Sequence, residues 1–507
     1  MRSTFHTLET AKRSIFTQQA AINTVGHNIA NANTKGYSRQ TVNMVAARPI
    51  EAYGVNRSIA PGQLGTGVEF TSINRVRTSF LDDQFRNQNK YLGSYSVQAD
   101  TLDKLESIVN EPGNSGIRTV LENFWNSWSD LSKDPENVTG RKIVRENALA
   151  LVDTFNQTSR QLSDLNRDLT RNVEVKATEM NTILNTIASL NNEIRRIEGL
   201  GDSANDLRDQ RDLLTDDLSK IVNVTVQDTE AGYTIMMGGT NLVTGTVVAQ
   251  QMTGELLSDA YGEGNLSSGE VHGMIVSRDK YVADYQRQLD TLANTMANGA
   301  IEVIVPAGSV LPGETTPLAV DTAVTVNGIN GLHRLGYTLE GGTPPTTGGD
   351  LFTFATGASG ITAASIRVNP AVAADTNKIA TSLRLDAAGT VVKGNNTLAL
   401  LMAELKDNVF SFDETATGNG INQSTLGDYY NALVGALGVQ SQEASRQLNN
   451  TKTQLDQVDS SRQSVSGVSL DEEMSNLIKY QHAYSAAARL MSTFDEMLDK
   501  LINGTAV

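Results

Sequence analysis

The chain has no cysteine, which excludes thiolate nucleophiles, cysteine-ligated zinc and disulfide staples. Aromatic residues make up only 5% of it, and proline occupies 10 of 507 positions. So few bulky side chains suit elongated helical and sheet domains with thin cores, and the length calls for several domains. No apolar stretch approaches the roughly 18 residues that span a bilayer, so no membrane insertion is expected. The opening MRSTFHTLETAKRSIFTQQAAINTVG is polar and lacks the apolar core and cleavage site of a secretory signal peptide. A protein with this start that works outside the cell would have to leave by a route that cleaves no signal. Basic residues are too few to balance the acidic ones, 41 against 57, for a net charge of −16. That charge opposes association with nucleic acid or anionic membranes and keeps free subunits soluble.

Chemistry-bearing patterns are missing as well. His6, His27, His272, His333 and His482 are far apart and none has metal-ligand spacing. The run PGQLGTGVEF, with Gly62, Gly65 and Gly67, lacks the Lys-Ser/Thr that would complete a phosphate loop. No Ser-His-Asp arrangement can be nominated. The expectation is a protein that is not an enzyme and carries no metal or cofactor.

What is present lies at the two ends. Leu8, Ala11, Ile15, Gln18, Ile22, Val25 and Ile29 follow one another at alternating spacings of three and four, the spacing of a coiled-coil seam. Leu470, Met474, Leu477, Gln481, Tyr484, Ala488, Met491, Leu498 and Ile502 repeat the device near the other end. Ser469 and Glu472 have capping-box spacing, and Asp471 to Glu473 place negative charge where a helix dipole favours it. A helix with one narrow apolar stripe is marginal alone. The ends are therefore predicted to meet as a coiled coil, disordered in the free chain and ordered in an assembly. The candidate assembly interface is Leu8, Ile15, Ile22, Val25, Ile29, Leu470, Met474, Leu477, Tyr484, Met491, Leu498 and Ile502.

Between the ends, helical periodicity covers 92–108, 117–131, 143–218, 274–296, 397–410 and 429–458, with Trp125 and Trp128 as core anchors on one helix face. Val222, Val224 and Val226 alternate with polar residues, and YTIMMGGTNLVTG follows, which predicts a small sheet. From about 303 to 392 the composition shifts to Thr, Gly, Ala and Val, with turn signals at Asn327-Gly328 and Asn330-Gly331 and a mobile tip expected near EGGTPPTTGGD. The predicted fold class is α+β and multidomain: long terminal α-helices forming a coiled coil, an elongated helical bundle and inserted β-rich domains. The expected partition is 1–60 with 466–507 as a terminal axial domain, 61–220 with 270–300 and 393–465 as the bundle, 221–269 as a small β subdomain, and 301–392 as an outward-facing β domain.

The segment NIANANTKGYSRQ, with Asn28, Asn31, Asn33, Thr34, Gly36, Tyr37, Ser38, Arg39 and Gln40, resembles the N-terminal signature of the rod, hook and hook-associated proteins of the bacterial flagellum. SGVSLDEEMSNLIKYQHAYSAAARLMSTFDEMLDKLI resembles their C-terminal signature. GYSRQ and the block NDLRDQRD are similar to the type 1 hook-associated members, a likeness that covers nearly all of the chain outside about 303–364. The resemblance implies a structural subunit joining hook to filament, exported and then assembled head to tail outside the cell. Its implied partners are the hook protein, the next hook-associated protein on the filament side, copies of itself, and an export chaperone at the C-terminal helix. A bulk hook or filament subunit and a secreted adhesin-like binding module are the alternatives.

Overall fold

The computed structural model describes residues 5–49, 65–109, 116–229, 232–340, 342, 344–412 and 422–504. The expected domain end at residue 60, and Gly62, lie outside them. In chain order the elements begin with α1 (His6–Ala30), β1 (Gln40–Ala46), β2 (Val68–Arg75), α2 (Ser79–Val109), α3 (Ile117–Lys133), α4 (Val138–Glu198) and α5 (Asn205–Ile221). Next come β3 (Thr225–Thr229), β4 (Gly232–Met237), β5 (Thr240–Thr244), β6 (Val247–Val248), α6 (Gly254–Gly262), α7 (Glu270–Val276) and α8 (Ala283–Asn298), with one π-helical turn, Ser277–Val282, between the last two. β7 (Ala300–Val305), β8 (Thr322–Asn327), α9 (Gly328–Leu335), β9 (Phe352–Phe354), β10 (Ile366–Val368) and α10 (Pro370–Ala374) follow. The chain closes with α11 (Thr397–Glu404), β11 (Phe410–Ser411), β12 (Gln423–Ser424), α12 (Leu426–Ser466) and α13 (Leu470–Asn503).

These elements form two compact units, one of residues 1–94, 174–272 and 449–507, the other of 95–173 and 273–448. In the first, α1 and α13 pack against each other. They run antiparallel, because Asn28 near the end of α1 bonds Glu473 in the first turn of α13. β1 and β2 pair as an antiparallel ribbon with one irregularity at Asn43/Met44, and the ribbon lies on α1. β3, β4, β5 and β6 form a four-stranded antiparallel meander in sequence order, as the alternating valines predicted. Its β4–β5 turn needs glycine: Gly238 has φ +55°, and a Cβ there would lie 2.7 Å from the Asn265 Cα.

The second unit holds both tryptophans. On α3, Ile117, Val120, Leu121, Phe124, Trp125, Trp128 and Leu131 all turn inward, the i, i+3, i+4, i+7 repeat of an amphipathic helix. Trp128 is fully buried and meets Phe124 edge-on. Phe124 in turn touches Phe352 at 5.9 Å. The strands of the 301–392 stretch make two separate two-stranded ribbons, β7–β8 and β9–β10.

Several local expectations change. The helical run 143–218 is interrupted after Glu198, where Gly201 turns the chain with φ +94°. The run 397–410 ends at Glu404, and Phe410 belongs to a strand. Asn327-Gly328 and Asn330-Gly331 open α9 rather than a hairpin, because Ile329, Leu332 and His333 share a buried face and the Asn330 side chain clamps the backbone of Phe352 in both directions. The described part of the expected mobile tip is tied down. Thr338 N–H donates to Thr346 O, and Gly348 N–H donates to Gly336 O. Ser469 makes no capping hydrogen bond, and the Glu472 side chain, which would complete the reciprocal half of the box, pairs with Arg39 instead.

Candidate functional site: a junction of three motifs

At the end of α1, Asn31 closes the helix with its own side chain, donating Nδ2 to His27 O at 3.0 Å and accepting from Thr34 Oγ1 at 3.2 Å. The chain then reverses through Gly36, whose φ is +82°. A side chain there would press on Leu213 of α5, with a Cβ only 3.1 Å from the Leu213 Cβ. Asn33 and Thr34 stay exposed at the tip. Behind it Asn28 is 1% exposed and uses its whole amide. Nδ2 donates to Gln40 O (2.9 Å) and Glu473 Oε2 (3.0 Å), while Oδ1 accepts from Gln40 N (3.0 Å) and Tyr37 OH (2.8 Å).

The rest of the motif reaches outward. Ser38 N–H donates to Asp209 Oδ2 at 2.8 Å, and Gln40 Nε2 donates to Asp206 Oδ1 at 2.7 Å. Arg39 grips Glu473 (2.7 Å) and Glu472 (2.9 Å) with its side chain and Ser466 O (2.9 Å) with its backbone N–H. The N-terminal signature, NDLRDQRD and the C-terminal signature thus meet in one place within the first unit.

Beneath the turn lies a buried ion network. Asp209, Asp212 and Asp216 are spaced three and four residues apart on one face of α5, all buried. Arg75 bridges Asp209 (2.7 Å) and Asp212 (2.9 Å), Arg77 pairs with Asp82 (2.7 Å), Arg86 with Asp216 (2.8 Å), and Arg462 of α12 with Asp216 (2.6 Å). Four guanidinium groups face four carboxylates, so the network is neutral as a whole. Desolvation alone would lift Asp212, but Arg77, Arg75, Arg86 and Arg211 around it hold its carboxyl below the usual range. At Asp209 burial outweighs its hydrogen bonds and pushes the carboxyl up. Burial, with Asp206 and Asp209 nearby, pushes the Tyr37 phenol up, so it keeps its proton. An ion pair of this kind contributes little net stability, but losing one partner leaves a buried charge uncompensated. The network therefore specifies which surfaces meet.

The interface candidates divide. On α1, Val25 is buried and Leu8, Ile15, Ile22 and Ile29 are half-buried. On α13, Leu477, Met491 and Leu498 lie half-buried, whereas Leu470, Met474, Tyr484 and Ile502 are exposed. The face of α13 that is fully covered belongs to Glu473 and Ala487, so the packed seam runs to one side of the sequence stripe. A cavity of about 650 Å³ opens beside the turn, between Thr34–Ser38 and Gln463–Ser469. Sequence reasoning passed over Arg75, Arg77, Arg86 and Arg462, and gave Glu473 only a helix-dipole role. The usable signal was spacing: three acids of α5, Asp209, Asp212 and Asp216, on one helical face. Among the described residues no group of three or more His, Cys, Asp or Glu could hold a metal ion, and no helix is long and apolar enough to cross a membrane.

Comparison with known proteins follows the same three regions. The family described as Flagellar hook-associated protein FlgK helical domain matches residues 102–303. The families Flagella basal body rod protein and Flagellar basal body rod FlgEFG protein C-terminal match 8–37 and 460–504. The chain is 35% identical to Flagellar hook-associated protein 1 of Bacillus subtilis, covering 100% of this chain and 99% of that one. It is 26% identical to its namesake in Escherichia coli, covering 96% and 97%. Among solved structures, the flagellar hook junction protein FlgK from Burkholderia pseudomallei superposes with a TM-score of 0.52 at 14% identity, covering 77% of this chain and 100% of that one. That likeness is one of fold.

Proposed function

Because the chain belongs to the flagellar hook-associated protein 1 family, we propose that it is a structural subunit joining hook to filament, assembling with copies of itself through its terminal helices after export. The observation that carries this reading is the uneven coverage of α13. Among the described residues its one substantial packing partner is α1, yet Leu470, Met474, Ile478, Met497, Leu501 and Ile502 remain 49–64% exposed. Apolar flanks beside a helix pair held in register by Asn28, Arg39 and Glu473 are suited to further helices of the same kind. A contact of this sort, repeated head to tail without closing, builds a tubular lattice.

On this reading residues 1–60 with 466–507 form the axial layer, 301–392 face outward, and the chain performs no catalysis. The hook protein and the next hook-associated protein are its axial neighbours outside the cell. An export chaperone covers the C-terminal stripe beforehand, so truncation after Val465 should abolish chaperone binding; retained affinity would refute that part.

The main test is imaging. The exposed turn at Gly313-Glu314 accepts a small tag better than Gly348, which is packed against His333. One focus at the base of each filament is expected. Label along the whole filament would mean a bulk subunit, and diffuse surface label a binding module.

A further inference from the structure

With 12 methionines and no cysteine, the chain carries sulfur only as thioethers. Among the described residues Met180, Met237, Met252, Met274, Met296 and Met402 are buried, and Met44, Met236 and Met491 are half-buried. The two that solvent reaches freely are Met474, 49% exposed, and Met497, 52% exposed. Both belong to α13. At ~100° of turn per residue, Met474 lies roughly 100° to one side of the buried Glu473, and Met497 roughly 80° to the other side of the buried Ala487. The seam against α1 therefore covers neither. Each stands in an apolar flank of its own, Met474 one turn from Leu470 and Ile478, and Met497 on the same side as Leu490 and Leu501, all four exposed.

We propose that Met474 and Met497 are modification sites, at which a peroxide-class oxidant converts the thioethers to sulfoxides and so bars a free copy from assembling. This rests on the reading of the α13 flanks as contacts between copies. The sulfur attacks one peroxide oxygen and the O–O bond breaks. The other oxygen leaves as hydroxide and takes up the proton of the transferred OH, so sulfur loses two electrons and water is released. A pliable apolar side chain thereby becomes a polar one with an acceptor oxygen. An apolar contact would bury that oxygen without a donor, which is unfavourable. The two positions differ in this respect. The residues three and four away from Met474 are Leu470, Asp471, Leu477 and Ile478, whose side chains offer no donor at neutral pH, whereas Lys500 follows Met497 by three. Met474 is therefore the more sensitive site. Reversal needs the dithiol-driven methionine sulfoxide reductases, so a copy oxidised beyond their reach stays barred. Contact between copies shields both sulfurs, which confines the sensitivity to copies not yet incorporated.

The test has a chemical arm and a cellular one. Hydrogen peroxide is added to the purified full-length chain and the oxidised positions are read by peptide mass. Met474 and Met497 are expected to convert at least about tenfold faster than Met180 and Met402, and uniform rates would overturn the proposal. In cells whose sole copy carries the imaging tag, Met474→Gln, a polar stand-in for the sulfoxide, should lower the number of filament-base foci at least about fivefold, with displaced chain in the medium, and Met497→Gln should lower it less. Met474→Leu combined with Met497→Leu should keep the foci, including under a peroxide dose that removes them from the unsubstituted chain. Foci retained with both glutamines in place, or a leucine variant as sensitive to peroxide as the unsubstituted chain, would overturn the proposal and leave the junction reading standing. No base focus for the unsubstituted chain would refute that reading, and the proposal with it.

Discussion

The substitution Asn28→Asp changes one atom group and tests the junction directly. The Oδ1 side of the amide is kept, so the bonds from Gln40 N and Tyr37 OH survive. The Nδ2 side becomes a carboxylate oxygen about 3 Å from two acceptors, Gln40 O and Glu473 Oε2. Losing one neutral and one charge-assisted hydrogen bond costs about 2–4 kcal/mol. Two carboxylates in van der Waals contact add to that, for a total of about 3–5 kcal/mol near pH 8. The pair relieves itself by sharing a proton, which raises its folded-state pKa above the unfolded value of about 4. A raised carboxyl pKa means that the missing stability is recovered below that pKa and lost as pH rises through it. The deficit should therefore shrink to about 1–2 kcal/mol near pH 5, when the new carboxyl, once protonated, again donates to Glu473. Both tryptophans, Trp125 and Trp128, belong to the other unit, so fluorescence would miss the effect. Exchange of the Arg39 and Gln40 amides reads it. The ratio of protection between the unsubstituted protein and the variant should be at least about a hundredfold near pH 8 and about tenfold near pH 5. A ratio independent of pH, or one below tenfold near pH 8, would refute the assigned geometry.

Tryptophan fluorescence suits the second unit. His333 is fully buried, with Nδ1 donating to Gly349 O and Nε2 accepting from Ala380 N–H, and burial pushes it down from 6.5 to about 4. A depressed histidine stabilises above its unfolded pKa, so urea unfolding should show a loss of about 1.4 kcal/mol per pH unit between 6.5 and 4, absent in His333→Gln. Gly36→Ala should loosen the junction amides by about tenfold, because φ +82° and Leu213 both resist a side chain. Gly26→Ala, with nothing within 4 Å of the new Cβ, should instead stabilise α1 by about 0.5–1 kcal/mol, and equal effects at the two glycines would refute the contrast. In the free chain α13, with only Glu473 and Ala487 fully buried, should exchange faster than α5 with its buried aspartates, and assembly should reverse that order.

The parts of the fold legible in sequence were those governed by one dominant periodicity. The inward face of α3 around Trp128 and the valine alternation leading into β3 follow from spacing alone, whereas on α13 the packed seam runs to one side of the stripe that spacing marks. Tertiary competition decided the rest. Ser469 and Glu472 have the spacing of a capping box, yet a guanidinium 433 residues earlier in the chain attracts the carboxylate more strongly than a backbone amide. Nothing in the spacing of the α5 acids names their cationic partners, which lie on β2, α2 and α12. Asn327-Gly328 has the chemistry of a hairpin turn, but the buried face of Ile329, Leu332 and His333 favours a helix. The motif Asn28 to Gln40 was legible as a turn, whereas its role as a clamp depends on Asp209 and Glu473.

The bond between Asn28 and Glu473 joins residues 445 positions apart. Bringing such distant segments together from an open chain costs about 5 kcal/mol in loop-closure entropy, and nothing at the front of the chain can repay it until nearly all of the chain exists. During synthesis, or during passage of an extended chain through any narrow conduit, α1 would travel without its partner. α1 is thus among the last segments to settle, although it precedes its partner by most of the sequence.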